Sequence, residues 1–169
     1  MRRLSTLVLL ASLVLGTAGK LDRLSEAERT HFAALKPFLT DKDQKAYLKL
    51  KTEDERNAWL KARRLWDRYY ALPERQREDI AAGKVQKGWT DDMVIMAWGS
   101  PHERRRLAVS EASRSELFVY FVEVLSDGKV MLWKPGSKQT HGAVDKYRWE
   151  LRVYDHEVVQ MERRPGWEG

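Results

Sequence analysis

The sequence LFVYFVEVLSDGKVMLW, Leu117–Trp133, indicates most clearly which fold class this chain adopts. Its first part, Leu117 to Leu125, is a nearly continuous run of β-branched and aromatic residues, which is typical of a central strand buried on both faces. The next four residues, Ser126 to Lys129, form a hairpin turn. Val130 to Trp133 is therefore predicted to pair back on the first strand.

Two more strands follow a polar, glycine-containing loop over Lys134 to Lys146. Apolar and charged residues alternate from Tyr147 to Val153, as in a half-buried strand, and Asp155 and His156 turn the chain into Val158 to Glu162. Strands joined by short turns, without intervening helices, predict an antiparallel sheet of about four strands. The last residues, from Arg163 on, are predicted to be frayed.

Upstream of the sheet, Leu24 to Gly83 has the pattern of consecutive helices. Ser25 with Glu28 is a capping box, Thr40 caps a second helix, and Thr52 caps a third and longer one. Pro73 suits the first position of a fourth helix that ends at Gly83, a natural left-handed terminator.

The third helix carries an aromatic stripe, formed by residues spaced three and four apart: Trp59, Ala62, Trp66, Tyr69 and Tyr70. Such a stripe is usually a buried face that packs against neighbouring elements. Stacking against a sugar or a base is the alternative.

Between the helices and the sheet lies KGWTDDMVIMAWGSP, Lys87–Pro101. Thr90 caps a short helix that has Asp91 in its first turn, and Gly99 followed by Pro101 ends it. The fold class is therefore α+β, an N-terminal helical segment followed by a short helix and a small antiparallel sheet. We assign 20–86 to the helical segment, 87–164 to the helix-plus-sheet domain and 165–169 to a tail.

The first nineteen residues, MRRLSTLVLLASLVLGTAG, have the features of a secretory signal peptide. Arg2 and Arg3 precede a short apolar run, and small residues follow it, which predicts cleavage near Ala18 or Gly19. A membrane-spanning helix needs about 20 apolar residues, more than this run has. We expect an exported protein, periplasmic or secreted.

The cysteine content and the net charge limit which classes of partner such a protein can have. The chain has no cysteine, so it has neither disulfides nor the lipid-modifiable cysteine of a lipoprotein. Its net charge is +6, which becomes +4 once Arg2 and Arg3 are removed with the signal. In an exported protein, anionic partners would be lipid headgroups or acidic envelope polymers rather than nucleic acid.

No catalytic or metal-binding pattern accompanies these features. The histidines, His31, His102, His141 and His156, are not spaced as metal ligands, and His156 is best explained as a turn residue. Nucleophile elbows and phosphate-binding glycine loops are missing, so we expect no catalytic residue, no metal and no cofactor. A hidden pair of catalytic carboxylates is not detectable from spacing.

Candidate binding residues are the basic cluster Arg104, Arg105 and Arg106 together with Trp89 and Trp133, because a flat basic or aromatic face favours a binding module. The arginines would suit phosphates of anionic lipid. The alternative is a solvated loop, since short charge runs usually lie at the surface.

The unit Gly88-Trp89-Thr90-Asp91-Asp92-Met93-Val94, ending in Trp98-Gly99-Ser100-Pro101, resembles the G-M-T-x-x-x-V…L-G-x-P signature of SmpA/OmlA-like (BamE-like) envelope domains. Residues 87–162 follow that family's order of a short helix and antiparallel strands. The resemblance implies a non-enzymatic interaction or assembly module, linked to outer-membrane protein assembly, with envelope proteins as partners. Members of that group are lipoproteins, which a chain without cysteine cannot match.

A second resemblance covers both halves of the chain. Leu39-Thr40 and Lys51-Thr52-Glu53-Asp54-Glu55-Arg56, followed by Gly88-Trp89-Thr90-Asp91 and Trp98-Gly99-Ser100-Pro101, are similar to the GWxTD-domain proteins. This resemblance implies a domain organisation and no particular activity. The preferred function is a non-catalytic envelope module, and the alternative is an exported enzyme that acts on an envelope polymer through carboxylates.

Overall fold

A computed structural model describes residues 18–108, 113–134 and 142–167. In these ranges the chain forms the helices α1 (Ala18–Leu21), α2 (Glu26–Leu35), α3 (Asp41–Tyr47), α4 (Glu53–Ala62), α5 (Leu65–Tyr70), α6 (Glu74–Ala81) and α7 (Asp91–Trp98), with a 3₁₀ turn over Lys36–Phe38. The strands are β1 (Glu103–Arg106), β2 (Ser115–Val124), β3 (Val130–Leu132), β4 (Asp145–Tyr154) and β5 (Glu157–Pro165). The predicted α+β class is confirmed. Residues 1–17, which contain most of the predicted signal peptide, lie outside the described residues.

The sheet is antiparallel, with the order β1-β2-β4-β5. β4 pairs with β2 along its whole length, while β1 and β3 share the other edge of β2, one at each end. Phe118 and Tyr120 on one face of β2 and Val119 and Phe121 on the other are all buried, as predicted for a central strand. The Ser126–Lys129 hairpin turn is also present, with Gly128 at φ +81°.

Side-chain caps form where the sequence predicts them. Ser25 and Thr52 make capping boxes with Glu28 and Glu55, and the Thr40 hydroxyl accepts from the amide of Asp43. These caps satisfy amides that a helix N-terminus otherwise leaves unpaired. α6 ends at a left-handed Gly83 (φ +67°), again as predicted.

The prediction of one long third helix is wrong, because the helix is interrupted after Ala62 and a new helix begins at Leu65. Arg64 adopts a left-handed conformation (φ +57°), which ends α4, and Leu65 and Tyr69 of α5 are buried in the core. Of the predicted stripe, Tyr69 is buried, Trp59 and Trp66 are half-buried, and Ala62 is exposed. The aromatic members do pack on the core, which agrees with the packing interpretation.

One core joins the helices to the sheet. Its buried cluster contains Leu35, Leu60 and Ile80 of the helical segment and Phe118 and Leu151 of the sheet. α7 lies between the two layers and buries six of its eight residues. Burial of this shared apolar surface is the main stabilising contribution.

The predicted frayed end is wrong, since β5 continues to Pro165. Beyond it, Trp167 stacks on Phe121 at a centroid distance of 5.2 Å, and its Nε1 donates to the carbonyl of Val122 at 3.1 Å. No described helix is long and apolar enough to cross a membrane.

Candidate binding pocket

The site is built where the start of α7 contacts the β4–β5 turn. Gly88 N donates to Val158 O, Val158 N to Trp89 O, and Asp91 N to His156 O, each at 2.8–2.9 Å. Gly88 has φ +82°, a conformation in which a Cβ is penalised. These bonds hold Asp91 directly beside His156.

The β4–β5 turn itself has an unusual backbone. Asp155 (φ +44°) and His156 (φ +73°) are both left-handed, as in a type I′ hairpin, where Asn-Gly is the preferred pair. The Asp155 carboxylate accepts from the amide of Arg114 at 2.9 Å, and Asp155 N donates to Arg114 O at 2.8 Å. These bonds offset the backbone strain and fix the position of the imidazole of His156.

A chain of polar contacts runs from α7 to β1. His156 Nδ1 lies 2.9 Å from Asp91 Oδ2, and Arg114 Nη1 lies 3.2 Å from His156 Nε2. Arg114 Nε donates to Glu116 Oε2 at 3.0 Å, while Arg104 makes two bonds to the same carboxylate, of 2.9 and 2.7 Å. The hydrogen bond from Arg104 is the main reason that the pKa of Glu116 is lowered.

This arrangement commits both ring nitrogens of His156. A guanidinium only donates, so Nε2 must accept from Arg114 and the proton must lie on Nδ1, facing Asp91. The imidazole therefore links Asp91 to Arg114.

Four residues of this chain of contacts, Asp91, His156, Arg114 and Arg104, line an open pocket of about 500 Å³, whereas Glu116 is not among the lining residues. Arg68 of α5 contributes a third guanidinium, 3.3 Å from Asp92 and stacked over Phe38. Pro37 and Ile95 also line the pocket and are apolar. Charged and apolar surfaces thus meet where the helical segment contacts the sheet.

The structure separates the predicted basic cluster. Arg104, Arg105 and Arg106 belong to β1, an edge strand that the sequence did not indicate. Because side chains alternate along a strand, Arg104 and Arg106 point to one face and Arg105 to the other. Of the three, Arg104 alone lines the pocket. The three arginines do not form one patch.

The two predicted tryptophans lie apart from the pocket. Trp89 is buried in the core, at 3% exposure, so it offers no binding surface. Trp133 lies on the opposite face of the sheet, 4.6 Å from Trp167 and 5.8 Å from His102. Of the predicted motif residues, Thr90 caps α7 and Gly99 ends it, whereas Asp91 belongs to the pocket. Gly88 starts the contact with β5, and Pro101 follows the end of α7.

Sequence analysis missed Arg68, Arg114 and His156 as pocket residues. The one local signal was Asp155-His156 in a hairpin position that favours Asn-Gly. The long-range pairs, such as Asp91 with His156 across 65 residues, leave no trace in spacing.

No group of three or more His, Cys, Asp or Glu residues within the described ranges is placed to hold a metal ion. Comparison with protein-family models, with curated proteins and with solved structures finds no match for this chain.

Proposed function

We propose that this chain is an exported, non-catalytic interaction or assembly module of the cell envelope that binds its partner at the pocket between the helices and the sheet. The observation that carries the proposal is the linear chain of contacts Asp91–His156–Arg114–Glu116–Arg104, in which every member except Glu116 lines the pocket. Each of these side chains is bonded to the next one in the chain of contacts. Such bonds favour recognition, because side chains that are already positioned lose less conformational entropy on binding.

The enzyme alternative needs a carboxyl that keeps its proton near neutral pH, as a general acid does. In the described ranges the carboxyl groups with a shifted pKa, Glu28, Glu55, Glu116 and Asp127, are all shifted downward by hydrogen bonds or basic neighbours. Such carboxylates serve as anchors for amides and guanidinium groups. This argument favours the binding module.

Envelope proteins are the partners we propose, in keeping with the resemblance of 87–162 to BamE-like domains. An anionic lipid surface is the weaker fit, because Arg104, Arg105 and Arg106 do not present their charges in one direction. The link to outer-membrane protein assembly rests on the resemblance.

Site-specific cross-linking tests the proposed surface. A photo-cross-linking residue at Ser100, an exposed residue that lines the pocket, should give one discrete protein adduct in intact cells. The matched control is Val159, an exposed residue of β5 outside the pocket, which should give none. Identical adducts from the two positions, or none from either, would contradict the proposal.

Export is tested separately by sequencing the N-terminus of the protein from fractionated cells. We expect a chain that begins at Gly19 or Lys20 and is released by osmotic shock. A cytosolic protein that retains Met1 would reject the exported location.

A further inference from the structure

Guanidinium groups and apolar side chains line the same pocket, and together they indicate the chemistry of a ligand. We propose that the pocket binds the free C-terminus of a partner polypeptide, with its α-carboxylate at Arg104 and Arg114 and an apolar last side chain against Phe38 and Ile95. This inference rests on the proposed function, in which the pocket is the binding surface. It adds the chemical identity of the group that is bound.

Hydrogen-bond donors for a carboxylate are available on both arginines. A guanidinium has five N–H donors. Arg104 uses two of them on Glu116, and Arg114 uses one on Glu116 and one on His156. The other donors of the two side chains have no partner among the described residues, and both side chains line the pocket. Two such groups can hold the two oxygens of one carboxylate.

The local charge fits a monoanion. Arg104 and Arg114 share one carboxylate, Glu116, which leaves one positive charge between them. Asp91 lies in the first turn of α7, where the helix dipole offsets its charge, and its Oδ1 accepts from the amide of Asp92. Asp91 and Asp92 line the same pocket, so that with Glu116 three carboxylates balance the guanidinium groups of Arg68, Arg104 and Arg114. A formally neutral site accommodates one additional negative charge at lower cost than the two charges of a phosphate dianion.

The arginines are also positioned before a ligand arrives. The Arg104 guanidinium lies 4.8 Å from the Phe118 ring, in addition to its two bonds to Glu116. Arg114 is held by Glu116 and His156. Ile95 and Phe38 line the same pocket and contribute apolar side chains to it. A chain end satisfies both kinds of group, because its carboxylate and last side chain leave the same carbon atom.

Binding of defined peptides tests the inference by calorimetry. The probes are two N-acetylated hexapeptides of one sequence ending in phenylalanine, one with a free C-terminal carboxylate and one with a C-terminal amide. We expect the acid to bind the full chain at least 10-fold more tightly than the amide. An acid peptide ending in serine should bind more weakly than the one ending in phenylalanine.

A variant locates the binding. Arg114→Gln should weaken binding of the acid peptide at least 10-fold, while the amide is unaffected, and it leaves both Arg104–Glu116 bonds in place. The matched control is Arg75→Gln, an exposed arginine of α6 outside the pocket, which should bind as the wild type does. Should Arg114→Gln not fold, the acid–amide comparison on the wild-type chain decides alone.

Equal binding of the acid and the amide would overturn the inference, as would failure of both to bind at millimolar concentration. Binding of a uronic acid oligosaccharide in place of the acid peptide would also overturn it. The proposed function is judged independently, by the Ser100 cross-link. A Ser100 adduct that an excess of the acid peptide does not compete away would leave the pocket as a binding surface and reject the chain terminus as its ligand.

Discussion

At the residue scale, the least expected group is His31, whose side chain is buried in the helical segment. Its Nδ1 lies 2.8 Å from the Tyr70 hydroxyl and its Nε2 lies 3.0 Å from the Tyr47 hydroxyl. A neutral imidazole has one donor and one acceptor, and each hydroxyl can take the complementary role. Burial lowers the pKa of His31 to about 4.

This shift predicts acid sensitivity. His31 has a pKa of about 6.5 in the unfolded chain and about 4 in the folded chain, so the unfolded chain binds a proton first as the pH falls. The contribution of neutral His31 to the free energy of unfolding is therefore complete above pH 6.5 and is lost between pH 6.5 and 4. We expect urea unfolding to show a loss of roughly 2 kcal/mol between pH 7 and 5. Neighbouring Glu28, whose pKa is lowered, adds its own loss only at lower pH.

The matched variant is His31→Gln, which has no titrating group there. It should be less stable than the wild type at pH 7, because the buried tyrosine hydroxyls lose partners, yet its stability should change less between pH 7 and 5. An equal pH dependence of the two proteins would show that another group causes the loss.

Gly99 makes a second prediction at this scale. Its backbone (φ +80°, ψ −171°) lies in a region that is essentially restricted to glycine, while a Cβ there would meet no atom within 4 Å. The cost of Gly99→Val is therefore backbone strain alone, about 1–3 kcal/mol in thermal or urea unfolding. Ser100→Ala, a change at the exposed next residue, should be nearly neutral. Full stability of Gly99→Val would contradict this conformation.

At the scale of elements, local chemistry explains what the sequence predicts well. At four helix starts, a side-chain oxygen accepts from the amide three residues further on, so a short sequence pattern is enough to predict where the helix begins. The capping residues are Ser25, Thr40, Thr52 and Thr90. β2 is recognisable because it is buried on both faces. These features need no information from distant parts of the chain.

The elements that sequence reasoning missed depend on distant partners. The sequence of β1 resembles a charged loop, because none of its side chains is buried. It forms a strand because its backbone pairs with β2. The end of β5 is equally polar, and Trp167 fixes the chain beyond it only by reaching Phe121 and Val122. The pocket combines both cases, since it joins Arg104 of β1 to distant residues of α5 and α7.

The break between α4 and α5 gives a prediction for an element boundary. The left-handed conformation of Arg64 is sterically unfavourable by about 1–2 kcal/mol, and the Arg64 side chain does not cap α5. Arg64→Gly removes that cost but gives the unfolded chain more freedom, so we expect a net gain of up to about 1 kcal/mol. Ala62→Gly, at the end of α4, should lose about 0.5–1 kcal/mol instead. Destabilisation of both variants alike would contradict the break.

At the scale of the whole molecule, the helical segment and the sheet depend on one another. α7 buries Met93, Val94, Met96 and Ala97 within a core that also contains residues of α2, α4 and α6. Trp98 connects the layers directly, since its Nε1 donates to the carbonyl of Gly83 at 2.8 Å and its ring lies 5.2 Å from that of Tyr120. Removing the helical segment would expose this surface to water.

We therefore predict that residues 87–169 do not fold alone and that the full chain unfolds in one step. Tryptophan fluorescence is dominated by the sheet half, which holds Trp89, Trp98, Trp133, Trp149 and Trp167, whereas far-ultraviolet circular dichroism is dominated by the helices. If one core holds both halves, the two signals should have the same urea midpoint. Leu60 of α4 is fully buried, so Leu60→Ala should reduce the free energy of unfolding by about 2–5 kcal/mol. Both signals should then show the same lower urea midpoint. Two results would show two independent cores: a Leu60→Ala variant in which only the circular dichroism midpoint falls, or an 87–169 fragment that unfolds cooperatively by itself. The pocket would then be a cleft between two domains.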